Sequence, residues 1–192
     1  YNCNALEYFN SETQYEMNIP QTIESIKSYT FYKCGLINNI TLSDDIKTIG
    51  QYAFFGCISV IKFNSENDKE FAAPSNCETI GNYAFSGMAL IEEVVVGDKV
   101  TSIGIGAFKG FNTLNKIQLP FIGSTATSTS TYTRVFGYIF GDGNCSSTNT
   151  TSTVSGNPSI TYASWLYIAL TGWLFNISAW LSIIKFVFLS TI

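Results

Sequence analysis

Residues 48–63 read TIGQYAFFGCISVIKF, and the same frame returns as TIESIKSYTFYKCGLINNITL (22–42), ETIGNYAFSGMALIEEVVV (78–96) and TSIGIGAFKGFNTLNKIQL (101–119). Four units share apolar residues at every third position around an anchor phenylalanine: Phe31, Phe54, Phe85 and Phe108. The anchors are 23, 31 and 23 residues apart, so the basic coil has about 23 residues and one coil carries eight more.

The extra residues are NSENDKEF or thereabouts, and NSETQYEM precedes the first full unit in the same relation. Phe9 to Pro20 and Phe63 to Pro74 are both 11 residues, and Cys3, Leu6 and Phe9 repeat as Cys57, Val60 and Phe63 at an offset of 54. A two-coil unit, one short and one long, has been duplicated. The opening YNCNALEYFNSE therefore reads as the second half of a coil, and the chain as a slice of a longer array.

Apolar residues in short, regularly spaced coils, with neither a sustained helical stripe nor a long alternation, suit a solenoid whose coils stack over one core. A coil offers about half a dozen inward side chains, each contributing roughly 1.5–3 kcal/mol only when neighbouring coils cover it. No coil can fold alone. Each unit ends in apolar residues two apart, which predicts a short parallel strand beside the same strand of the next coil. Ile40, Leu42, Val94, Val96, Ile117 and Leu119 point inward on this reading. Asn39, Thr41, Glu93, Val95, Lys116 and Gln118 point outward, and with Tyr8 and Lys62 they form the candidate binding face. Gly50, Gly81 and Gly104 follow the inward Ile49, Ile80 and Ile103, as expected of a turn with permissive backbone needs, although Lys27 holds that place in the first unit. Cys3, Cys34 and Cys57 share one register with Met88 and Phe111, which predicts buried small hydrophobes rather than a disulfide ladder.

Composition narrows the chemistry. Hydrophobic residues make up 46% of the 192, enough for a core, whereas charged residues are only 12% and the net charge is -4. No cluster of Lys and Arg interleaved with aromatics is present, so nucleic acid is not an expected partner. The chain has no histidine, which removes the commonest acid/base group at neutral pH and the commonest metal ligand. No two of the five cysteines stand at Cys-x-x-Cys spacing, and Asp142 in GDGN is a lone carboxylate without the acidic ligands of a calcium loop. Neither a cofactor nor a metal is expected. Glu92 and Glu93 are adjacent, so on a strand they face opposite sides and cannot act on one substrate. With no Gly-x-Ser-x-Gly and no phosphate loop, no catalytic residues are assigned and the chain reads as a non-enzyme.

IGQYAFFGC, IGNYAFSGM and IGIGAFKGF resemble the leucine-rich repeat of the BspA-like (Treponema pallidum type) surface proteins. The resemblance implies a repeat solenoid: a right-handed coil stack with a short-stranded parallel β-sheet, mostly β and irregular, with little helix. It covers residues 1–120, taken as the repeat array. Beyond it, LPFIG, a Ser/Thr-rich tract and VFGYIFG resemble a spacer between repeat blocks in such proteins of gut-dwelling Firmicutes. Residues 121–158 are read as a Ser/Thr-rich insertion whose aromatic island, Phe136, Tyr138 and Phe140, folds back over the end of the core.

Residues 121–192 hold only Arg134, Asp142 and Lys185 as charges, and 162–184 hold none. That length and polarity suit a membrane span, although no basic cluster follows to stop transfer. The same tail also fits a degenerate repeat, with Ala179-Trp180 in place of Ala-Phe and Ile184, Val187 and Leu189 at strand positions. Residues 159–192 stand as a degenerate repeat or an apolar membrane segment, and 162–184 are the only route to a membrane.

The family resemblance implies an extracellular or cell-surface bacterial protein, a non-catalytic module of an adhesin. Its partner would be a protein or glycan, with host matrix or another cell surface as the source. The competing expectation is a structural spacer within a cell-surface or secreted multidomain protein, binding nothing itself.

Overall fold

The computed structural model describes residues 5–7, 9–128 and 136–141, with the backbone of 151–154. Two parallel sheets form the walls of a solenoid. The first contains β1 (Glu16–Asn18), β3 (Asn39–Thr41), β5 (Lys62–Phe63), β6 (Glu70–Ala72), β8 (Glu93–Val95), β10 (Lys116–Leu119) and β11 (Thr151–Val154), hydrogen-bonded in that order. The second contains β2 (Ser25–Ile26), β4 (Thr48–Ile49), β7 (Thr79–Ile80) and β9 (Ser102–Ile103). The one described helix is a 3-10 turn over Phe136–Phe140. Repeat, solenoid and near absence of helix are as expected.

Equivalent positions of successive coils stand directly opposite one another: Ile49 pairs with Ile26 and Ile80, and Val94 with Phe71 and Ile117. Repetition of the sequence therefore becomes repetition in space, and like side chains stack. Ile49, Phe54, Cys57, Val60 and Phe63 of one coil are all fully buried. The anchor rings form a column, with centroids 5.3 Å apart from Phe31 to Phe54, 5.9 Å from Phe54 to Phe85 and 5.8 Å from Phe85 to Phe108. Cys34 and Cys57 are buried thiols in no disulfide, as expected of small core residues, and Cys77 is a third.

The turn around each anchor has its backbone satisfied by the next coil. The amides of Tyr52, Phe54 and Gly56 donate to the carbonyls of Asn82, Ala84 and Ser86 at 2.8–2.9 Å, and Tyr29, Phe31 and Lys33 donate likewise to Gln51, Ala53 and Phe55. A buried corner without this ladder would leave costly unpaired groups.

The glycines after the inward isoleucines have a different cause from the one expected. Gly50, Gly81 and Gly104 do not have positive φ. A Cβ on Gly81 would lie 2.5 Å from the Gln51 backbone nitrogen, and one on Gly50 2.5 Å from that of Ser28. Close approach of one coil to the preceding one, not turn geometry, excludes a side chain. Lys27 occupies the same place after β2, which has no preceding strand in the described part of the second sheet. The left-handed backbone falls instead on a second series, Gly56, Gly87, Gly110 and Gly141, with Lys33 at φ 57° in the first coil.

The eight-residue insertion forms a strand of its own. β6 pairs in parallel with β5, aligning Phe71 with Phe63, and the earlier copy repeats this through a bridge between Phe9 and Met17. The second sheet receives no matching strand. Chain beyond Leu119 also joins the stack: β11 pairs with β10, Ile139 and Phe140 are buried, and the Phe108 amide donates to the Ile139 carbonyl at 2.8 Å. Tyr138 is half-buried against the core, while the side chain of Phe136 and all of residues 159–192 lie outside the described residues. The alternatives of degenerate repeat and membrane segment both fall there.

Candidate functional site: the outward face of the first sheet

Because strand residues alternate sides, burying Met17, Ile40, Phe63, Phe71, Val94 and Ile117 turns their neighbours outward in rows that cross the sheet. Asn39, Lys62, Glu93 and Lys116 lie in one row, which the register completes with Glu16 and Glu70. Thr41, Val95 and Gln118 lie in the second, with Asn18 and Ala72. Seven of the eight candidate residues are thus brought onto one face, and Tyr8 lies outside the described residues.

Glu16 and Glu70 were missed because the segments that carry them were read as insertion. The signal was available: QYEM and DKEF each place an apolar residue eight positions after a phenylalanine of the repeat register, Phe9 or Phe63.

The insertion loop stands over this face. Asp68 pairs with the outward Lys62 at 3.4 Å, and the Asn67 side-chain amide donates to Glu70 at 2.7 Å. On the other side of the loop, Lys69 meets Glu92 at 2.6 Å and Lys116 pairs with Glu93. An open polar depression of about 290 Å³ is lined by Asn67, Asp68, Lys69, Glu70, Glu92, Glu93 and Asn115; Glu92 precedes the strand, so it and Glu93 share this depression instead of facing opposite sides. The hydrogen bond that Lys69 donates to Glu92, then the charge of that carboxylate, holds the Lys69 ammonium above its ordinary pKa. At the earlier copy of the loop, Ser11 donates to Glu16 at 3.1 Å and Asn39 donates to the other oxygen of the same carboxylate at 3.1 Å. Lys62 and Lys116 on this face have acidic partners, whereas Glu70 and Glu93 stand side by side in the row, and its residues come from coils 23 or 31 positions apart.

No group of histidine, cysteine or carboxylate side chains suited to a metal ion occurs among the described residues. Among the same residues no helix is long and apolar enough to cross a membrane. The arrangement offers hydrogen-bonding and charged groups held in register on one sheet.

The family model described as BspA type leucine rich repeat region matches in six copies, over residues 5–125 and 58–154. The chain belongs to this family. A BspA-type repeat module supports a protein-binding role, and its members are typically non-catalytic. Two solved structures are similar to this chain. A leucine-rich repeat protein from Bacteroides ovatus is 27% identical, with a TM-score of 0.41, over 55% of this chain and 31% of its own. The T. pallidum leucine rich repeat protein is 24% identical, with a TM-score of 0.42, over 55% of this chain and 58% of its own. The matched part of this chain therefore spans less than two thirds of either protein. No curated protein matches.

Proposed function

We propose that this BspA-type chain is a non-catalytic binding module of a bacterial cell-surface or secreted adhesin, and that it presents the outward face of its first sheet to a protein partner. The observation that carries this reading is the seven-stranded sheet, whose inward residues are spent on the core while its outward rows display polar groups in strict register. Asn39, Thr41, Lys62, Glu93, Val95, Lys116 and Gln118 are the proposed contacts, with Tyr8 carried over from the sequence and Glu16 and Glu70 added by the register. Rigid strands hold these groups without further ordering on binding, which favours affinity.

A second reading has its own support. The pairs Lys116–Glu93, Lys69–Glu92 and Lys62–Asp68 satisfy one another within the face, as a spacer that binds nothing would require. Pull-down with the immobilised chain, from host matrix proteins and from bacterial surface extracts, separates the two. Saturable retention of a defined protein supports the module, and retention no higher than on a blank support assigns the chain as a spacer.

A further inference from the structure

The corners that carry the anchor phenylalanines form a second surface, away from the first sheet's outward rows, with a different chemistry. Tyr29, Tyr52 and Tyr83 stack in a column with centroids 5.0 and 5.2 Å apart and planes within 15° of parallel. Tyr32 and Phe55 form a shorter column beside it, at 5.2 Å and 8°. A tilted contact at 5.7 Å between Tyr29 and Tyr32, and an edge-to-face one at 5.4 Å between Tyr52 and Phe55, join the columns into one five-ring patch. All five side chains are half-buried.

Core packing accounts for the buried anchors but not for these rings. Tyr29, Tyr52 and Tyr83 have φ of 62°, 54° and 53°, the left-handed region that L side chains resist, while the fourth coil places Gly106 at the same position with φ 64°. Glycine would relax each of the three, so the ring is what the position retains. The faces of Tyr52 are covered by Tyr29 and Tyr83, and what it exposes is its rim. An aromatic rim is the positive part of the ring's quadrupole.

Charge points the same way. Residues 27–33, 50–56, 81–87 and 104–110 contain Lys27, Lys33 and Lys109 and no Asp or Glu, in a chain of net charge -4. Lys33 lies over the Tyr32 ring at 5.4 Å. Exposed Gln51 and Asn82 add amide groups between the tyrosines.

We propose that this corner binds an anionic glycan, a carboxylated or sulfated polysaccharide laid across successive coils. Positive rims, phenol hydroxyls, amides and the exposed Lys27 and Lys33 are complementary to a chain of anions and hydroxyls. An acidic peptide is disfavoured by pitch, because extended chain advances about 3.3 Å per residue whereas the rings repeat at 5.0–5.2 Å.

The test is titration of the full 192-residue chain with heparin, polygalacturonate, neutral dextran and poly-glutamate. Binding of heparin or polygalacturonate is expected to weaken with added salt, with no binding of dextran. Lys27→Glu with Lys33→Glu should weaken it by roughly tenfold or more. Tyr52→Gly, which removes the ring while relieving its φ, should weaken it in a chain that still melts cooperatively. Lys116→Glu on the first sheet should leave it unchanged, which keeps this site distinct from the proposed protein-binding face. Failure of both polyanions to bind, full binding by the double lysine variant, or equal or tighter binding of poly-glutamate would overturn the proposal.

Discussion

The rings of Phe63 and Phe71 stack at 4.6 Å and 21°, although only eight positions of chain separate them. They belong to hydrogen-bonded parallel strands joined by six residues, where a parallel connection ordinarily takes about a dozen or more. Left-handed backbone at both ends of the connection, Asn64 at φ 50° and Lys69 at φ 61°, makes the short return possible. Asn10 and Tyr15 do the same in the earlier copy, at 51° and 65°. Each insertion thus adds about 4.8 Å to the first sheet and nothing to the second, enlarging the face proposed to bind.

Phe71 is accordingly structural. Its ring touches Phe63, Phe85 and Phe108, and it is fully buried. Phe71→Ala should cost about 3–5 kcal/mol in urea unfolding. A loss below about 1 kcal/mol would mean that the insertion strand is not part of the core.

Close coil approach predicts a contrast between glycines. Gly81→Ala forces backbone apart and should cost about 1–3 kcal/mol. Gly97, with nothing within 4 Å of an added Cβ, should accept Ala within about 0.5 kcal/mol. Equal melting temperatures for the two variants would refute the packing explanation.

Asp44 joins neighbouring coils and makes their contact sensitive to acid. The Ser75 amide donates to its Oδ1 at 3.0 Å, and this bond, followed by the Ser75 side chain, holds the carboxyl below its ordinary 3.8. A lowered folded pKa gives stability that is fully present above the unfolded value and fades as pH falls from about 3.8 through the folded value. The stability advantage of wild type over Asp44→Asn should shrink across that window. A difference independent of pH down to full protonation would contradict the assignment.

Buried thiols should be inert. Burial pushes the Cys77 thiol up to about 11, and Cys34 and Cys57 are fully enclosed. Peptide mapping after iodoacetamide treatment at pH 8 should find these three unmodified in the native chain and labelled in urea. Rapid native labelling of any of the three would show that its coil opens.

Much of this architecture was legible because a solenoid writes its core at fixed spacing: Phe31, Phe54, Phe85 and Phe108 identify the stack, and the outward positions of Asn39, Glu93 and Lys116 follow from their neighbours. The β6 strand was legible only in its apolar residue, Phe71 eight positions after Phe63; the short return that pairs it with β5 depends on backbone signs at Asn64 and Lys69 that residue type does not announce. The role of Gly81 was also hidden, because what it avoids is a backbone 30 positions earlier. The tyrosine columns emerge only when coils are stacked, as Tyr52 and Tyr83 are 31 residues apart.

The central claim is that the first sheet's outward face is where a protein partner docks. The most direct measurement compares the affinity of a protein captured by wild type for two variants, Glu93→Lys with Lys116→Glu on the first sheet, and Thr48→Lys with Thr79→Lys on the outward side of the second. Roughly tenfold or greater weakening is expected for the first variant and unchanged affinity for the second. Unchanged binding by the first variant, or loss confined to the second, would contradict it.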